Sequence, residues 1–301
     1  MVIGHFAVLP HWIWQFIFSF HMPLFFIVAG YLYKPKELKE SLRKDFRHLM
    51  VPYFLTCAVL VLLHLVYSRV SGSLEMTRYY LIATFVGAGS SKDCALLGDL
   101  PSIGAIWFLP ALLVCKNVYS LLNPDRRLLF SSIIFIVATL VGTYLISLPF
   151  SVLSGLSGII FYAIGDRLKG VSEIKAPYWI AGGVCWVLSL CFSVVLLVIP
   201  RMDLYFIDVA GATFATILVY ILSMWLNKRS EIISSAFSWL GRNTLPILCF
   251  HLLELNCGLS HHLNITGSPL IDNLLRLIIP IILTVLFNVF INRTSIRAQR
   301  A

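Results

Sequence analysis

An all-α, polytopic membrane bundle of about ten helices is the fold class that three features of this sequence predict. The first is composition. Hydrophobic residues make up 59% of the 301, charged residues only 12%, and mean hydropathy is +0.88. A soluble domain carries roughly 25% charge, so the apolar surplus here must face lipid. The second is a series of apolar runs that match a bilayer, whose ~30 Å core takes about 20 helical residues to cross. The third is the distribution of Lys and Arg, which alternates from one connection to the next.

The crossing runs fall at about 12–33, 51–69, 104–122, 128–148, 150–165, 178–200, 205–226, 236–257 and 270–291. A further run, Met1 to Pro10, is too short to cross and reads as the outer half of an incomplete first helix. Orientation follows from the loops. The 34–50 connection holds six basic residues, 123–129 two, 166–176 three, 227–233 two and the tail after 292 three, sixteen on one side. The opposite side holds four: Arg69, Arg78, Lys92 and Arg201. Basic loops stay in the cytoplasm, which places the 34–50 loop and the C-terminus there. The outer segment 70–103 has four scattered glycines and a short helix predicted around Met76 to Val86. No internal repeat divides the chain, so residues 1–301 read as one membrane-embedded domain. Without a basic leader and a small-residue cleavage site at the N-terminus, a signal peptide is a poor reading. The expected location is a plasma membrane, the bacterial inner one, with the lipid bilayer as first partner.

The net charge of +9 is accounted for by those cytoplasmic loops and does not call for nucleic acid. The seven cysteines form no CxxC pair and show no Cys/His metal spacing, so no metal is expected. Cys94 and Cys257 fall in or beside predicted outer loops, where a disulfide could form.

An ionisable side chain at membrane depth costs several kcal/mol unless it is paired, which makes it a functional candidate. His5, His21, His64, Asp208, Arg242, His251, Glu254 and Arg276 all fall within the runs. Asp208, Arg242 and Arg276 lie where their heads could reach the interface. His64 reads as a core or interface histidine. His5, His21 and His251 are different: each sits in apolar surroundings, and only His251 has a carboxylate, Glu254, on its own helix face three residues on. They could be polar glue between helices. They could equally be a proton-handling cluster, serving general base catalysis on a hydroxyl or a proton-coupled transporter.

Residues 20–33 read Phe-His-Met-Pro-Leu-Phe-Phe-Ile-Val-Ala-Gly-Tyr-Leu-Tyr. This run resembles the signature of the acyltransferase-3 family of membrane-bound O-acyltransferases, in particular the branch related to fucose 4-O-acetylases. Four other segments agree in order and spacing. Gly4-His5 is similar to the family's Gly-His at the end of its first helix. Leu42 to Arg47, running into Val51-Pro52-Tyr53, resembles its basic stretch before a Pro-Tyr. Ile106-Trp107-Phe108-Leu109-Pro110 resembles its Trp-Phe-Leu element, and Leu240 to Leu245 followed by His251 resembles its late Gly-x-Asn-Ser/Thr…His helix.

The resemblance implies ten helices and transfer of an acyl group, usually acetyl, from cytoplasmic acyl-CoA to a hydroxyl of a carbohydrate or glycolipid. On that reading Arg43, Lys44 and Arg47 meet the coenzyme A phosphates. His5 is the catalytic base, His21 shapes the same cavity, and His251 with Glu254 lines it. One position departs from the pattern. The family's basic residue eleven places before the histidine would here precede Met1, which implies a start codon assigned downstream of the true one, or else an inactive copy. The alternative outside enzymology is a proton-coupled transporter or glycan flippase, although matching halves with broken helices are not visible in the sequence.

Overall fold

The computed structural model describes residues 2–6, 8–90, 93–94, 98–171, 173–264 and 267–298, without the side chains of 93–94, 98–99, 261–262 and 292–298. Lys92, Arg300 and Ala301, and the side chains of Cys94, Arg293 and Arg297, therefore lie outside the described residues. Cys257 carries a thiol and no disulfide. The chain forms two compact units, one of residues 11–223 and one of residues 1–10 with 224–301.

The larger unit is helical from its start. α1 (His11–Phe18) and α2 (His21–Tyr31) together make a span of 21 residues, broken at Ser19 and Phe20. The break has a chemical cause: Pro23 has no N–H to offer the Ser19 carbonyl. α3 (Leu38–Asp45) runs through one π turn, Phe46–Met50, into α4 (Val51–Ser71). Here Pro52 removes the bond that the His48 carbonyl would accept, and the wider turn absorbs the defect. α5 (Glu75–Val86) is the short outer helix predicted from the sequence. Then come α6 (Phe108–Leu121), α7 (Arg127–Tyr144), α8 (Val152–Ser157), α9 (Ile159–Leu168), α10 (Ala176–Phe192) and α11 (Phe206–Arg229), whose last turns enter the smaller unit.

The closest helix pair in this unit is α2 with α9. A Cβ on Gly30 would stand 2.0 Å from the Tyr162 carbonyl oxygen, and one on Gly165 2.0 Å from that of Ile27. Both positions thus require glycine for the backbones to touch, the usual device where lipid offers no hydrophobic drive for helix association. Phe26 fills the angle where the 149–157 and 159–168 helical segments bend by 48°, its ring 2.6 Å from where a Gly158 Cβ would be. Phe26 also packs edge-on against Phe108, 5.4 Å between centroids. Tyr53 is fully buried and donates to the Thr84 carbonyl at 2.7 Å. Three of the recognisable sequence segments are therefore packing elements.

α10 stops at Phe192, short of the 200 expected. Ser189 and Ser193 donate to the two oxygens of buried Asp208 at 2.6 Å each, and the Leu204 N–H adds 2.9 Å. That turn reverses the chain through the paired strands Val195–Leu196 and Arg201–Met202. Asp208 is thus a fully bonded structural carboxylate and does not snorkel.

In the smaller unit, Val2–His5 is a single 3-10 turn. The expected outer half-helix is shorter than predicted, as suits a four-residue segment. α12 (Glu231–Arg242), α13 (Thr244–Cys257), α14 (Leu259–Leu263) and α15 (Pro269–Ala298) follow. The run predicted at 236–257 is two helices, because Pro246 cannot donate to the Arg242 carbonyl. Of ten expected spans, five helices are long and apolar enough, six with the bent pair, among the described residues. Ala105–Leu121, Ala176–Phe192 and Thr244–Cys257 are apolar but shorter. The architecture is an all-α membrane bundle.

Candidate functional site

In the smaller unit, α13 carries His251 and Glu254 on one face, and both side chains are completely buried. His251 Nδ1 lies 3.8 Å from Glu254 Oε2, within ion-pair range but too long for a direct hydrogen bond. Neither ring nitrogen and neither carboxylate oxygen has a hydrogen-bond partner among the described residues. A buried polar group left unbonded costs about 1–3 kcal/mol. Four such atoms on adjacent turns single this cluster out as the candidate site.

His5 closes the arrangement from the N-terminal segment. Its ring centroid stands 5.4 Å from that of His251, the planes inclined by 51°. His5 is exposed where His251 is buried, so the two imidazoles form an accessible rim and an enclosed floor. α15 holds that segment in place: Arg276 Nη1 donates to the His5 carbonyl at 3.0 Å and Asn273 Nδ2 to the Val8 carbonyl at 3.2 Å. Arg276 is itself held by Asp272, Nε to Oδ2 at 2.8 Å. Ser260 Oγ and Asp272 Oδ1 are further buried atoms without a partner among the described residues. Asn243, from the Gly-Arg-Asn-Thr segment, serves the frame: it donates to the Trp239 carbonyl and accepts from Asn288 on α15 at 2.7 Å.

His21 belongs to the larger unit. It opens α2 just after the helix break and donates through Nδ1 to the Ile17 carbonyl at 3.0 Å, so part of its role is to cap α1. Of the four residues expected in one cavity, the structure brings together His5, His251 and Glu254. His64 stacks on Tyr80 with centroids 4.5 Å apart, as a packing histidine would.

The basic face on α3 is left with unneutralised charge by its own ion pairs. Glu40 is held by Lys36 at 2.5 Å, and that hydrogen bond keeps its carboxyl below the usual range. Asp45 is buried and paired with Lys116 of α6 at 2.5 Å. Arg43, Lys44 and Arg47 are all exposed, with no ion pair to either α3 carboxylate. A cleft of about 660 Å³ among α7, α9, α10 and α11 is lined by residues such as Ile160, Trp179 and Phe214. Among the described residues Glu173 is its one charged liner.

Sequence reasoning treated Arg276 as an interfacial side chain and passed over Asp272. The signal was present, since Asp and Arg four apart share a helix face and pair. Among the described residues no group of three or more His, Cys, Asp and Glu could hold a metal ion. No curated relative and no solved structure matches the chain. A family model described as an acyltransferase domain matches residues 1–293, nearly the whole chain, which therefore belongs to the acyltransferase-3 family of membrane acyltransferases.

Proposed function

We propose that this acyltransferase moves an acyl group, acetyl by preference, from cytoplasmic acyl-CoA to a hydroxyl of a cell-surface or exported carbohydrate. This is the chemistry of the branch related to fucose 4-O-acetylases, carried out in the plasma membrane with the C-terminus inside. The carrying observation is the His5–His251–Glu254 cluster, with both imidazole nitrogens of His251 and both oxygens of Glu254 buried and unbonded among the described residues. His5, at the accessible edge, takes the proton of the acceptor hydroxyl as its oxygen attacks the thioester carbonyl carbon. The carbon–sulfur bond then breaks, and the imidazolium returns the proton to the departing thiolate. His251 and Glu254 are the buried members of the same cluster. Arg43, Lys44 and Arg47 meet the donor's phosphates, guanidinium groups being suited to bidentate phosphate contacts.

The test is transfer of labelled acetyl from acetyl-CoA to glycan in membranes. His5→Ala should lower the rate by about 10²–10⁴-fold, the worth of base catalysis, while insertion is unchanged. Near-full activity in that variant removes His5 from the role. A proton-coupled glycan transporter or flippase is the second reading. It is favoured by the helix breaks at Ser19–Phe20 and Asn243, since transporters bind substrate at interrupted helices. Glycan movement without acylation by the wild-type protein would establish it.

A further inference from the structure

We infer that Arg276, braced by Asp272, is a positioning residue for His5, and the inference rests on the catalytic reading above. The Val2–His5 turn is four residues long and has no buried side chain, so its own packing cannot fix the imidazole. What fixes it is α15. Arg276 spends Nη1 on the His5 carbonyl and Nε on Asp272 Oδ2. Asn273, the neighbour of Asp272, takes the Val8 carbonyl. Two residues of α15 thereby hold the backbone at the end of the turn and just beyond it, at the His5 and Val8 carbonyls, with Asp272 orienting the arginine, and His5 meets His251 in that frame.

The geometry explains why this place holds an arginine rather than a lysine. A guanidinium presents its N–H groups in a rigid fork, so one can address a carbonyl while another is fixed by a carboxylate. An ammonium can also donate to a carbonyl and a carboxylate together, as Lys169 does to Tyr33 and Asp166, but its flexible stem does not fix the two directions relative to each other. Asp272 is buried, with Oδ1 unpartnered among the described residues, and it sets the fork's orientation from the i−4 position. An arginine that merely reached for the interface would not need such a carboxylate.

Displacing a catalytic group by about 1 Å can cost 10²-fold in rate. Arg276→Gln and Arg276→Lys should therefore lower kcat about 10- to 100-fold, with lysine less damaging and KM for donor and acceptor within about twofold. Hydrogen exchange over residues 2–8 should quicken in Arg276→Gln, while α13 keeps its protection. In a His5→Ala background, Arg276→Gln should cost nothing further, since a device acting through His5 has nothing left to position. An unchanged kcat, an unchanged exchange rate over 2–8, or an equal loss in the His5→Ala background overturns the inference. Full activity in His5→Ala alone would instead sink the catalytic reading, a result visible without any Arg276 variant.

Discussion

The imidazoles of His5 and His251 come from opposite ends of the sequence and meet with ring centroids 5.4 Å apart. They are not equivalent. His5 is exposed and its backbone is gripped by Arg276, whereas His251 is enclosed and has Glu254 3.8 Å away. On the proposed mechanism, that asymmetry suits the exposed histidine to base chemistry and the buried one to lining the site.

The α2–α9 contact gives a test of stability independent of chemistry. A methyl on Gly30 or Gly165 would stand 2.0 Å from a backbone carbonyl oxygen, which no rotamer change relieves. Gly30→Ala and Gly165→Ala should each destabilise the protein by about 1–3 kcal/mol or more, as overpacking does. Gly241→Ala, with nothing within 4 Å of its Cβ, should be neutral. Thermal unfolding in detergent distinguishes the three. Unaltered transitions for Gly30→Ala and Gly165→Ala would mean that the helices are not packed this closely.

The membrane fold was legible because apolar runs and basic loops are local properties of sequence. Helix breaks were harder to read. The run at 236–257 looks continuous in hydropathy, and only Pro246 with the bonding of Asn243 divides it. The run to 200 ended early because Asp208, distant in sequence, recruits Ser189 and Ser193. Within the site, His251 and Glu254 were visible as an i, i+3 pair. Contact with His5 was beyond periodicity, since it depends on α15 holding a segment from the other end of the chain. His21 was grouped with them as a histidine in an apolar run and as part of the Phe-His-Met-Pro-Leu-Phe-Phe segment, and its hydrogen bond to Ile17 adds a local capping duty.

The basic face of α3 yields a comparison with a built-in control. Lys36 is engaged by Glu40, while Arg43, Lys44 and Arg47 have no such partner on their helix. Arg47→Ala should raise KM for acyl-CoA severalfold, and Lys36→Ala should leave it within error, in membranes whose reporter fusion after Lys44 reads as cytoplasmic. Equal effects from the two variants would mark the whole stretch as orientation charge only. A periplasmic signal from the fusion would overturn the topology itself.

Glu254 provides the sharpest test of how the cluster divides its work. Glu254→Gln keeps the volume and replaces an acceptor carboxylate with an amide, so the packing of this buried side chain survives while any charge-assisted hydrogen bond to His251 or to an acceptor hydroxyl is lost. Hydrogen bonds to charged groups contribute about 1.5–3 kcal/mol, so kcat should fall about 10- to 100-fold. That is smaller than the upper range for losing a base, and His5→Ala should be the more damaging of the two. His251→Ala should resemble Glu254→Gln, and the double variant should cost little beyond either single one, because the two side chains adjoin on one face and act together. The measurement is acetyl transfer at saturating donor for each variant, with unfolding curves as a control for packing. A Glu254→Gln enzyme with wild-type kcat would reduce the carboxylate to a structural group. Losses that simply add in the double variant would show that His251 and Glu254 do separate jobs.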